Sequence, residues 1–291
     1  MLAHNGRLKL AVQKDGRITD DSLSLLRAAG LDFDVRSRTL FSPCRDYPLD
    51  ILSLRDDDIP EYVQDGVSEL GIVGENIVIE KHARVKILDR LGFGKCKLVI
   101  CAPRASRIKT LAQVNGRRIA TSYPATLRRF LSAHSIKAEV IEISGSVEIT
   151  PSLDVADATC DIISTGSTAR MNGLGVIHIV MDSQAVLIAN RDSLKSPGKK
   201  SAIEQLLVRT RSTLNARKKK YVMMNAPSAA VPSIKALIPG MKSPTIMPLA
   251  TSGMVAVHAV VGEEVFWDVI EKLKHAGACD IVVVPIEKFM A

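Results

Sequence analysis

A chain of 291 residues can hold two or three domains and bury a sizeable core. With 46% hydrophobic and 24% charged residues it reads as soluble and globular, and 4% aromatics argues against stacking platforms for single-stranded nucleic acid. The net charge of +8 is a local feature: residues 191–220 carry ten Lys/Arg against two Asp/Glu, which leaves 29 of each sign elsewhere. That stretch reads as an amphipathic helix with a basic outer side, with Ser201-x-x-Glu204 resembling a capping box ahead of Ile203, Leu206, Leu207, Thr210 and Leu214. An anion or nucleic-acid patch is the alternative. The five cysteines form no C-x-x-C pair and the six histidines no H-x-x-x-H pair, so neither a disulfide framework nor a zinc site is indicated. The N-terminus lacks an apolar signal region and no apolar run approaches a membrane span, which predicts a cytoplasmic protein.

In chain order, Leu8–Val12 reads as a strand followed by Gln13-Lys14-Asp15-Gly16-Arg17. A helix then enters at Thr19-Asp-Asp21 and closes at Gly30. Leu49–Leu54 is a second apolar strand running into Arg55-Asp-Asp-Asp58-Ile-Pro60, where Asp58 can cap a short helix ending at Asp65-Gly66. Leu70–Gly74 is a glycine-flanked strand with Glu75 and Asn76 at its carboxyl end. Ligands of open α/β sheets bind at such ends, which singles out Arg17, Arg55 and Gly74–Asn76. Strands near Val85–Leu91 and Lys97–Cys101 lead to a second α/β unit. It contains a short helix at Thr110–Val114, Arg118–Pro124 as strand and exit loop, a helix to His134, a strand at Glu139–Ile143, and a further exit loop, Gly145-Ser-Val-Glu148. Ile177–Val180 and Ala185–Ala189 are predicted to return to the first unit. This alternation predicts largely parallel sheets in two lobes, with loops facing across a cleft. Beyond Lys220 the order βαββαβ is a ferredoxin-like signature, suited to regulation or assembly. Ser193–Gly198 is the one linker-like stretch.

The segment most suggestive of chemistry is Asp161-Ile-Ile-Ser164-Thr165-Gly166-Ser167-Thr168. It reads as a buried strand feeding a turn and a helix start, where small residues and unpaired N–H groups favour a phosphate. Asp161 suits sugar hydroxyls, because an ionised carboxylate is a pure acceptor. Phosphate and ribose hydroxyls held together suggest a phosphoribosyl group. A hydroxyl-rich cap with a solvated Asp is the other reading of these residues alone.

Several stretches together resemble the ATP phosphoribosyltransferase family of histidine biosynthesis, in its long form with a C-terminal regulatory domain. They are Val12–Arg17, Arg55–Pro60, Glu69–Asn76, Ile119–Pro124, Gly145–Glu148, Asp161–Thr168 with Asn172-Gly173-Leu174, and Ser243-Pro-Thr245 with Pro248-Leu249. The resemblance implies two periplasmic-binding-protein-like lobes, the first from residues 1–93 and 178–217 and the second from 94–177, with a ferredoxin-like domain over 218–291. It implies a Mg²⁺-dependent glycosyltransferase: N1 of the adenine of ATP displaces pyrophosphate from C1 of phosphoribosyl pyrophosphate (PRPP). Asp161 would hold the ribose hydroxyls and Ser164, Thr165, Gly166, Ser167 and Thr168 the 5-phosphate. Lys14, Arg17 and Arg55 would face polyphosphate, Glu69 and Gly71 would lie beside the nucleotide, and Glu148 would act near the adenine amine or the ribose. No protein-only metal site is implied; the Mg²⁺ would ride on the pyrophosphate. The resemblance further implies feedback inhibition by histidine at Asn225, Met241 and Thr245, AMP as another ligand, and a homo-oligomer, dimer or hexamer. Many relatives carry an acid where Asn225 stands. A binding protein without catalysis is the rival reading of two lobes around a cleft, and pyrophosphate release separates the two.

Overall fold

A computed structural model of the chain describes residues 6–35, 39–164, 166–238 and 244–290. The first part runs β1 (Leu8–Gln13), α1 (Thr19–Ala28), β2 (Phe41–Pro43), β3 (Leu49–Leu54), α2 (Ile59–Gln64), β4 (Leu70–Gly74), α3 (Glu75–Glu80) and β5 (Lys86–Arg90). There follow β6 (Cys96–Pro103), β7 (Arg118–Thr121), α4 (Pro124–Ala133), β8 (Glu139–Glu142), β9 (Ala158–Ile163), α5 (Ser167–Met171) and β10 (Leu174–Ser183). The chain continues with β11 (Ala185–Ala189) and α6 (Pro197–Arg217). It ends with β12 (Lys219–Pro227), α7 (Val231–Leu237), β13 (Thr245–Pro248), β14 (Met254–Gly262), α8 (Glu263–His275) and β15 (Cys279–Pro285).

Lobe I is a six-stranded sheet in the order β2-β3-β1-β4-β11-β5, and lobe II a five-stranded sheet in the order β10-β6-β9-β7-β8. In lobe I, β1 is parallel to β3 and β4, so Gln13, Leu54 and Gly74 end on one side. In lobe II, β7 is parallel to β8 and β9, which groups the exits after Thr121, Glu142 and Ile163. Apolar faces explain both layers: Ala11, Val73, Val186 and Ile188 pack under Ile59 and Val63 of α2, and Leu98, Ile100, Ile119 and Cys160 pack against Leu127 and Leu131 of α4.

The sheets are mixed, not largely parallel. β11 runs antiparallel to β4 and β5, β6 antiparallel to β9 and β10, and β2 antiparallel to β3. For β2 and β3 chain length explains this, since a parallel neighbour needs a crossover of a dozen or more residues and only a short loop joins the two. The return to lobe I also falls later than predicted. Leu174–Ser183 pairs with β6 along its length, so the lobe boundary lies at Gln184 and not at residue 178. The two crossovers run side by side: Leu91 N donates to Ala185 O (2.9 Å), Ala185 N to Phe93 O (3.0 Å), and Gly92 N to the Gln184 Oε1 (3.0 Å).

Helix α6 begins at Pro197, whose fixed φ suits a first helical position, so Ser201 lies inside the helix and the predicted capping box is not its start. The stretch from Ser193 to Gly198 is thus a turn and a helix entry. The described residues up to Ser24 and from Asp32 to Ile203 form one compact unit, and Leu25–Leu31 with the chain from Glu204 onward form another. The division between these compact units falls within α6. Within the second unit the sheet order is β13-β14-β12-β15, with every pairing antiparallel. Ile234 of α7 and Val269 and Leu273 of α8 cover Val222, Met224, Val257 and Ala259 on the same sheet face, which is the ferredoxin-like arrangement. No helix among the described residues is long and apolar enough to cross a membrane.

Candidate active site

The loop after β1 folds back tightly. Gly16 has φ +145°, and a Cβ there would stand 2.3 Å from the Gln13 Nε2. Lys14 N donates to Leu54 O at 2.7 Å, tying the exits of β1 and β3 together, while the Lys14 and Arg55 side chains are exposed beside them. The turn aims Arg17 at the other lobe. Its guanidinium donates to Ser164 Oγ (3.3 Å), to Lys95 O (3.4 Å) and to Cys96 Sγ (3.2 Å). Arg17 and Ser164, 147 residues apart, are therefore neighbours. Asp56, half-buried after β3, has its pKa pushed up by burial first and by the adjacent Asp57 charge second.

In lobe II, Asp161 lies in β9 ahead of the turn, half-buried. Its carboxylate accepts a hydrogen bond from Ile162 N at 2.7 Å. Burial raises its pKa, that bond opposes the rise, and the Glu148 charge adds to it. No cation among the described residues offsets the burial. Glu148, in the turn Val147–Ile149 beyond the β8 exit, is thus close enough to Asp161 for their charges to interact. Ser164 and Gly166 (φ +71°) lead into α5, which begins at Ser167 with Thr168. Thr165 lies outside the described residues. A cavity of about 140 Å³ between the lobes is lined by Gln13, Arg17, Asp56, Asn76, Tyr123 and Ile162. A larger one, of about 460 Å³, lies beside Ser164.

Asn76, which sequence position alone made a candidate, is absorbed by the frame. It is 2% exposed; its N–H donates to Ser183 Oγ (3.0 Å), its Oδ1 accepts from that hydroxyl (2.8 Å), and its amide donates to Tyr123 OH (3.2 Å). Burial and the Asp161 charge push the Tyr123 pKa up, so the phenol keeps its proton. From the end of α3, Glu80 accepts hydrogen bonds from Ala125 N and Thr126 N, both 2.8 Å. A carboxylate of lobe I thereby caps a helix of lobe II, where the dipole favours it. Nothing local in the sequence signals these contacts.

Two predicted nucleotide residues are not brought to this region. Glu69 precedes β4, at the end of the strand opposite to Gly74, and is 6% exposed. It accepts from Lys9 N (2.8 Å) and pairs with Lys199 Nζ (2.7 Å). Gly71 is a packing glycine: a Cβ would stand 2.7 Å from Ile59 Cγ2 and 2.9 Å from Val63 Cγ2, so α2 could not approach β4. In the C-terminal unit, Asn225 and Thr245 fall on one face of the sheet, with β14 between their strands. Met241 lies outside the described residues. Asp280, missed in the sequence, accepts from Asn225 Nδ2 at 3.0 Å. No group of three or more His, Cys, Asp or Glu side chains among the described residues is placed to hold a metal ion.

A bilobal α/β core in which Arg17 of one lobe meets Ser164 of the other, followed by a ferredoxin-like domain, defines a two-part protein. Residues 55–212 match the family model described as ATP phosphoribosyltransferase, and residues 216–288 match that of the HisG C-terminal domain. ATP phosphoribosyltransferases of Cytophaga hutchinsonii and Bacteroides thetaiotaomicron are each 46% identical over 283 residues, 97% of this chain and 98% and 99% of theirs. In fold, the chain is similar to a structure titled as the ATP phosphoribosyl transferase (HisG:HisZ) complex of Thermotoga maritima. The TM-score is 0.60 at 24% identity, covering 70% of this chain and 98% of that one. The chain belongs to the ATP phosphoribosyltransferase family.

Proposed function

We propose that the chain joins ATP and PRPP: N1 of adenine forms a bond to C1 of the ribose as the C1–O bond to pyrophosphate breaks, giving N1-(5-phosphoribosyl)-ATP. The carrying observation is the meeting of Arg17 with Ser164, three residues beyond an Asp161 carboxylate that no cation among the described residues neutralises. The turn at Ser164–Thr168 takes the 5-phosphate on main-chain N–H groups. Asp161 accepts from the ribose hydroxyls and faces the positive charge that builds on the ring as the leaving group departs. Glu148, on the same side, suits the proton that the adenine amine gives up once N1 is alkylated. Lys14, Arg17 and Arg55 counter polyphosphate charge.

Two interacting carboxylates without a third donor fit a Mg²⁺ held mainly by substrate oxygens, since that ion keeps waters and takes one or two carboxylates plus phosphate. When bound, Mg²⁺ supplies Lewis-acid stabilisation of the departing pyrophosphate.

The ferredoxin-like domain is read as the sensor for histidine, with AMP as a further nucleotide ligand of the chain. At Asn225 the neighbouring Asp280 supplies the acid that the position itself lacks, suited to the amine of an amino acid. Assembly into a homo-oligomer and a cytoplasmic location belong to the same reading. Pyrophosphate release is measured with ATP and PRPP together and with each alone, with and without histidine. Release that needs both substrates is expected; release from one alone, or none, rejects the reaction, and a rate indifferent to histidine rejects the sensor.

A further inference from the structure

The cavity of about 460 Å³ beside Ser164 is lined by three cations, Arg90, Lys95 and Lys97, and two acids, Glu75 and Asp182. Their pairing is uneven. Arg90 grips Glu75 through two nitrogens, and Lys97 has the Asp182 carboxylate at 3.7 Å. Lys95 has no acidic partner among the described residues, and its own carbonyl is held by Arg17. Antiparallel register sets Lys97 opposite Ile163, so the chain leaving β9 at Ser164 passes alongside Cys96 and Lys95. A sugar phosphate held on that turn therefore has an unpaired ammonium at its flank, in a space with room for a second phosphorylated group.

Resting on the phosphoribosyl reading of the turn, we propose that Lys95 receives the diphosphate carried on C1 of the sugar donor and orients it for departure. Breaking the C1–O bond leaves the electron pair, and one more negative charge, on the diphosphate. A cation at its flank therefore holds the product more tightly than the ester and favours the transition state over the ground state. Adenosine triphosphate is the other polyphosphate that could fill this space, and the kinetics separate the two.

The test uses the full chain with Mg²⁺, varying PRPP and ATP separately, with inorganic pyrophosphate as product inhibitor. Because Lys95 is exposed and screened, Lys95→Ala is expected to weaken pyrophosphate inhibition about tenfold and to lower kcat/KM for PRPP by a similar factor. KM for ATP stays within about twofold, and Lys95→Arg recovers most of the loss. Unchanged pyrophosphate inhibition in Lys95→Ala overturns the proposal, as does a change confined to the ATP terms. An equal loss in Lys137→Ala, a charge on the outer side of lobe II, shows a bulk-charge effect and also overturns it. Should the wild type form no product, the reaction proposed above fails by itself. Calorimetric titration of inorganic pyrophosphate into wild type and Lys95→Ala then decides the Lys95 role: weaker binding by the variant sustains it, equal binding ends it.

Discussion

Two strand exits, β4 into α3 and β9 into α5, each pass from a strand into a helix, the first directly and the second through a turn, and their polar groups are used in opposite ways. At the first, Glu75 is bound to Arg90, Asn76 to Ser183 and Tyr123, and Glu80 to the start of α4. At the second, Asp161 accepts from the N–H of the next residue and Ser164 receives a long bond from Arg17, with no further side-chain bond to either among the described residues. Buried polar groups are normally satisfied within the protein. The first exit follows that rule and ties the lobes together; at the second, Ser164 is exposed and Asp161 only half-buried, so both are open to solvent or a ligand.

The sharpest way to break this comparison is Asp161→Asn. Loss of a preorganised charge at the reacting centre is expected to lower turnover by about 10²–10³, read as initial rates with both substrates saturating. The same variant should gain stability. Burial raises the Asp161 pKa in the fold, so its contribution to stability is fully present below the unfolded value of 3.8 and is lost as pH rises through the folded one. The thermal midpoint of Asp161→Asn should exceed that of the wild type at neutral pH, and the gap should close as pH falls toward 3.8. A variant that is both active and no more stable would remove the contrast between the exits.

Next in size is Glu69→Ala, which strands Lys9 N–H and the Lys199 ammonium. It should cost about 2 kcal/mol by denaturant unfolding, with KM for ATP unchanged; a selective rise in that KM would return Glu69 to the nucleotide site. Glu80→Ala removes the cap on α4 and should cost about 1 kcal/mol, with faster amide exchange at Ala125 and Thr126. The smallest effect is expected at Thr110, whose hydroxyl and Gln113 form a capping box remote from both exits. Thr110→Ala should cost about 0.5 kcal/mol and leave kcat intact.

Much of the architecture was legible because it is written in local patterns. The helix Glu263–His275 with Gly277 beyond it, the glycine-flanked strand at Leu70–Gly74 and the βαββαβ order all read directly from the residues. Strand direction did not, since nothing in the sequence of β6 or β11 says which way its neighbours run. β2, three residues long, carries too little periodicity to be seen. At the site, the turn after Asp161 was visible from its small residues, whereas the reach of Arg17 to Ser164 was not. Gly71 misled for a physical reason: a glycine that lets a helix pack against a strand looks the same in sequence as one that admits a ligand. Asp280 was overlooked because it meets Asn225 only through the pairing of β12 with β15.

The paired crossovers at 91–93 and Gln184–Ala185 form a short ribbon laced by hydrogen bonds. A ribbon flexes across its flat face far more easily than it shears or swivels, so the lobes are left with essentially one path along which to part. Every excursion along that path lengthens or shortens the span from Arg17 to Ser164. A pair of labels at those two loops would follow opening as a single coordinate.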